Sequence, residues 1–173
     1  MEPLLTLLAV TALLLLIGAL GVRGLRRLPA ALRGGLSAMF LLTGVSHFAG
    51  MRAEMIGMVP DTLPAPELIV TLTGIAELAG AIGLLIPRLS LIAAAALTLL
   101  LVVMFPANVS YALSGAPLPW YDQLLWRTLM QAVYIAAGVV VTLERYHAWR
   151  ASRRPQRAAA VGHADGARSE AVS

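Results

Sequence analysis

The twenty residues LIVTLTGIAELAGAIGLLIP, from Leu68 to Pro87, carry one ionisable group, Glu77, in an otherwise apolar and small-residue run. Crossing about 30 Å of hydrocarbon takes roughly 20 apolar residues in a helix. The run shows none of the period-two alternation of a barrel strand, so a membrane helix is the reading. Four other stretches resemble it: Pro3–Val22, Pro29–Gly50, Leu89–Phe105 and Leu124–Leu143. The shorter Leu89–Phe105 run has room to continue past Pro106, since membrane helices tolerate a proline kink. Across the 173 residues, 59% are hydrophobic and 13% charged, against about 25% charged in soluble domains. The expected fold is therefore all-α, an integral membrane helical bundle. The composition argues against a soluble globular enzyme, a disordered chain and a coiled coil.

Working outward, the connections carry the charge. The net charge of +4 comes from thirteen arginines, with no lysine, set against nine acids. With the N-terminus outside, eleven arginines fall on inner segments: Arg23, Arg26, Arg27, Arg33, Arg88, Arg145, Arg150, Arg153, Arg154, Arg157 and Arg168. The outer segments then hold Arg52 against Glu2, Glu54, Asp61, Glu67 and Asp122, and Arg127 lies inside a span. This satisfies the positive-inside rule and predicts a multi-pass membrane protein, N-terminus out and C-terminus in. Such arginines mark topology rather than a nucleic-acid surface, and no nucleic-acid partner is expected.

Pro3–Val22 follows an acid and precedes the basic cluster, the reverse of a secretory signal, and reads as an uncleaved anchor. Three parts result: an N-terminal anchor and basic loop over 1–28, a four-helix membrane domain over 29–147, and an Arg- and Ala-rich cytoplasmic tail over 148–173. That tail loses hydrophobic periodicity and is expected to be unstructured near anionic headgroups. Pro60, Pro64 and Pro66 predict a stiff, turn-rich outer cap over Arg52–Glu67, and Ala107–Tyr121 reads as a second outer loop, its Trp120 and Tyr121 suited to the interface.

Ionisable residues inside spans are costly and therefore informative. Thr43 and His47 stand four apart in the second span; Thr73, Glu77 and Gly80 share a stripe in the third; Gln123, Arg127, Gln131, Tyr134 and Gly138 follow helical steps in the fifth. Small residues accompany each stripe and allow close packing. Glu77 is near mid-span, Arg127 about one turn deep from the outer side, and His47 and Asn108 near the outer ends of their helices. An arginine side chain reaching inward would approach Glu77. These residues predict an outward-facing polar pocket lined by Thr43, His47, Glu77, Asn108, Arg127 and Gln131.

Other readings stand beside it. A Glu77–Arg127 pair would equally fix helix register, His47 would equally bond a loop carbonyl, and Asn108 would equally cap carbonyls freed by Pro106. Neither His47 nor the absent cysteines offer a metal set. No nucleotide loop, serine elbow or carboxylate pair occurs.

An ordered series of motifs resembles the DoxX-like family of small bacterial membrane proteins. It comprises Gly44-Val45-Ser46-His47-Phe48, Met58-Val59-Pro60 with Leu63-Pro64-Ala65-Pro66, and Gly74-Ile75-Ala76-Glu77-Leu78. Ile86-Pro87-Arg88, Phe105-Pro106-Ala107-Asn108 and Leu125-Trp126-Arg127 with Gln131 complete it. The resemblance covers roughly 29–145 and implies a four-helix DoxX-like core, to which Pro3–Val22 adds an N-terminal transmembrane helix. Members of that family resemble subunits of thiosulfate:quinone oxidoreductases, partners in membrane oxidative-stress complexes, and helpers in maturing a periplasmic disulfide-containing dehydrogenase. Without cysteine this chain has no thiol relay of its own. The resemblance implies an accessory subunit of a membrane redox system, with a membrane or periplasmic redox partner and a quinone as the cofactor. Arg127 would supply positive charge and paired donors, and Glu77 or His47 would handle protons. A non-catalytic scaffold with a structural polar centre, and a small proton-coupled transporter, are the alternatives; the latter lacks an inverted repeat. A homo-oligomer is compatible with all three.

Overall fold

The computed structural model describes residues 1–60, 62–113, 115, 119–120 and 123–170, with side chains described as far as 153. Its helices are α1 (Glu2–Ala19), α2 (Leu28–Ser46), α3 (Arg52–Met58), α4 (Pro66–Leu85), α5 (Ser90–Ala112) and α6 (Leu124–Glu170), with a 3-10 turn at Arg23–Leu25. No strand occurs among the described residues. Proline starts α1, α2 and α4, where a missing N–H costs nothing because the first-turn donors have no partner within the helix. Gly50, at φ 76°, turns the chain after α2.

Five helices, all but α3, are long and apolar enough to cross a membrane. α1 packs on α2; α2 packs also on α4 and α6; α4 packs on α5, and α5 on α6. The four later helices thus close a ring, and α1 leans on its α2 side. Leu7 of α1, Phe40 of α2, Leu84 of α4, Leu97 of α5 and Val141 of α6 meet in one core. Outward faces carry Leu8, Leu72, Ile75, Leu99 and Val103, all largely exposed. Those faces suit lipid, in which apolar side chains need no cover.

The boundaries differ from expectation in three places. α5 uses the room beyond Phe105, carrying Pro106 in its interior and continuing to Ala112, so residues 107–112, expected to begin the second outer loop, are helix. The rest of that loop, with Pro117 and Tyr121, lies largely outside the described residues. The proline-rich cap contains a helix, α3, because its prolines begin only at Pro60, and Arg52–Met58 is free to coil. The last helix passes Leu143 to Glu170. The tail side chains from 154 onward lie outside the described residues.

Candidate functional site

α2 ends deeper than α4 begins. His47, the residue closing α2, stands opposite Val70, four residues into α4, and α3 lies beyond it against α4 and α5. A close approach makes this register available: a Cβ on Gly74 would sit 2.5 Å from the His47 Cβ. The glycine therefore lets the two backbones meet where a side chain would push them apart.

His47 is 3% exposed and Glu77 5%, so both are closed off from the surroundings. His47 Nδ1 lies 2.8 Å from the Val70 carbonyl oxygen. A carbonyl only accepts, so Nδ1 carries the proton and donates it. Thr73 Oγ1, whose own proton goes to the Ile69 carbonyl at 2.9 Å, lies 3.3 Å from the same nitrogen. With Nδ1 assigned, Nε2 faces the Glu77 carboxyl at 3.5 Å. Two bare lone pairs at that contact would repel, so the pair carries a further proton, on imidazole or on carboxyl. Either way the unit is neutral overall, the form that a low-dielectric interior favours. Thr43 Oγ1 donates to Glu77 Oε2 at 2.6 Å and completes the carboxyl's partners.

Arg52 ties this centre to the outer end. Its Nη1 donates to the His47 carbonyl at 3.1 Å, while Nη2 donates to the Glu67 carbonyl at 3.3 Å and to Thr71 Oγ1 at 3.0 Å. A cation thus sits at the negative pole of α2 and joins α2, α3 and α4. From sequence Arg52 registered only as an outer charge; its isolation among five outer acids was the available signal.

The remaining expected site residues form separate groups. Arg127 Nη1 donates to Asn108 Oδ1 at 2.9 Å, and its guanidinium lies 4.8 Å from the Tyr111 ring centre, joining α6 to α5. Gln131, 7% exposed, donates from Nε2 to the Leu101 carbonyl at 2.6 Å. That carbonyl adjoins Val102, whose own acceptor lacks its usual donor because Pro106 has no N–H. The expected approach of Arg127 to Glu77 is not made: Glu77 is held by Thr43 and His47, and Arg127 turns to Asn108 and Tyr111. Arg127 enters from α6 beside α5, whereas Glu77 faces α2, and that difference of helix face separates them. The structure brings Thr43, His47 and Glu77 together, pairs Asn108 with Arg127, and sets Gln131 on its own carbonyl. Among the described residues, no group of three or more His, Asp or Glu side chains is placed to hold a metal ion.

Residues 36–142 match the family described as a domain of unknown function (DUF8561), and the chain belongs to that family. The match takes in all six of these side chains as well as Arg52. No curated protein and no solved structure matches the chain.

Proposed function

We propose that the chain is an accessory subunit of a quinone-linked redox system in a bacterial cytoplasmic membrane, N-terminus outside, with the His47–Glu77 pair as its proton-holding centre. The observation that carries the reading is the pair itself: two buried titratable groups in contact, with the imidazole oriented by the Val70 carbonyl so that Nε2 faces the carboxyl. The DoxX-like resemblance supplies the redox context, and the arginine distribution supports the orientation.

A quinone bound beside this centre would supply two-electron, two-proton chemistry. The residues suit proton exchange better than tight headgroup binding, because the carboxyl and imidazole already have partners within the chain. Thr43, the half-buried member, is the side from which a headgroup or water would approach. The chain's part is to hold one proton at Nε2 or at the carboxyl and to keep the imidazole facing Glu77.

Isolation from native membranes in mild detergent tests the reading. A co-purifying redox partner and extractable quinone are expected, and Glu77→Gln should slow quinone turnover of that complex several-fold at unchanged abundance. Absence of both partner and quinone overturns it. A second reading, a scaffold with a structural polar centre, is favoured by the internal satisfaction of this centre and of Gln131. It predicts that substitutions lower abundance while the surviving folded protein works normally.

A further inference from the structure

At the end of the bundle opposite His47, the turn after α1, the start of α2 and the later part of α6 surround a cavity of about 460 Å³. Its lining includes Arg23, Arg27, Arg33, Arg145 and Glu144. Four cations against one acid leave a formal charge of +3 around one space. Glu144 bonds Arg145 at 3.0 Å. The guanidinium groups of Arg23, Arg27 and Arg33 make no hydrogen bond or ion pair among the described residues.

Arginines gathered around a concavity at the edge of lipid repel one another unless an anion joins them. The first turn of α2 opens at the same place. Its N-cap is Arg27, whose side chain makes no capping bond, so the positive pole of the helix adds to the guanidinium field. Two features set the depth. Leu28 and Leu143, each next in sequence to a lining residue, are both 52% exposed and offer apolar surface at the same level of the bundle. One turn further along α6, Arg150 and Arg153 lie over the rings of Tyr146 and Trp149, the amphipathic pairing of a headgroup layer.

We propose that this cavity binds a phosphate-type anion, donated either by the headgroup of an anionic phospholipid or by free phosphate. Guanidinium groups present paired donors matched to phosphate oxygens. A lipid would place its phosphate among Arg23, Arg27, Arg33 and Arg145 and run its chains along Leu28 and Leu143. Basic pockets between membrane helices commonly take such headgroups. The inference is independent of the His47–Glu77 reading, since it uses other residues at the other end.

Delipidated full-length protein in neutral detergent, examined by native mass spectrometry with added phosphatidylglycerol, cardiolipin or phosphatidylcholine, provides the test. Phosphatidylglycerol or cardiolipin adducts are expected, with at least tenfold weaker retention in Arg27→Gln/Arg33→Gln. Arg150→Gln/Arg153→Gln, which removes the same charge at the same end outside the cavity, should retain them. Displacement of the lipid by millimolar inorganic phosphate supports the site and identifies the free anion as a competent occupant; no displacement supports it with lipid as the source. Equal binding of phosphatidylcholine overturns the proposal. So does undiminished binding by the cavity variant, or an equal loss in the control. Should Arg27→Gln/Arg33→Gln fail to fold, Arg23→Gln in the exposed turn replaces it under the same criteria.

Discussion

Glu77 illustrates how one ionisable side chain is made tolerable inside an apolar helix bundle. Its carboxyl is engaged by Thr43 and by the imidazole of His47, and the imidazole is in turn oriented by the Val70 carbonyl. Removing one member strands the others. Glu77→Leu should therefore cost about 3–5 kcal/mol of stability, as breaking buried pairs does. Glu77→Gln should cost about 1 kcal/mol, because the amide accepts from Thr43 and donates to Nε2 of a neutral imidazole. His47→Leu/Glu77→Leu should be less damaging than Glu77→Leu alone, since the buried imidazole is no longer stranded and Thr43 can turn its hydroxyl to the Phe40 carbonyl on its own helix. Unfolding in mixed micelles measures all three, and equal losses in Glu77→Gln and Glu77→Leu would contradict this account. That Glu77 mattered was legible from one acid in twenty apolar residues. That its partner is His47 rather than Arg127 was not, because helical spacing assigns a residue to a face and leaves the facing helix undetermined.

Helix contacts in this chain rest on glycines and on a few unusual backbone positions. The His47 register depends on Gly74, where an added Cβ would meet the His47 Cβ and ring as well as the Phe48 ring. Gly74→Leu should push α2 from α4 and cost at least the roughly 1–3 kcal/mol of ordinary overpacking. Gly57→Leu in α3, where an added Cβ meets nothing within 4 Å, is the matching control. Thermal aggregation in detergent would separate the two, and equal tolerance would show that the contact is not tight. Ala65, at the start of α4 between two prolines, has φ 53°. A non-glycine residue is strained there, so Ala65→Gly should stabilise by about 0.5–1 kcal/mol and Ala65→Val should destabilise. The same stability assays decide the sign. The turn character of this segment is visible in its prolines, whereas α3 is hidden because prolines at 60, 64 and 66 mark turns without restricting the residues well before them.

At the scale of the molecule, two polar ends are separated by one apolar core. His47, Arg52 and Arg127 gather at the end holding α3, and Arg23, Arg27, Arg33 and Arg145 at the other. A chain without cysteine makes orientation directly measurable. Glu54→Cys, on exposed α3, should react with a membrane-impermeant maleimide in intact spheroplasts. Arg88→Cys, in the α4–α5 turn, should react only after permeabilisation. The reverse pattern would invert the orientation drawn from the arginines.

The amino-acid order determined that this chain is built of apolar helices suited to lipid and roughly where each begins, because both follow from local sums of apolar length. It also nominated Thr43, His47, Glu77, Asn108, Arg127 and Gln131, since any polar residue in a span is conspicuous. Only the tertiary structure decided which of them meet. The depth of α2 against α4, set by the Gly74 contact, brings His47 to Glu77, while the docking of α6 on α5 gives Arg127 to Asn108. The same packing folds arginines from two distant segments, residues 23–33 and Arg145, around one cavity. Those outcomes depend on rotation and relative depth between helices, which arise from side-chain volumes meeting across an interface and leave no period in the chain.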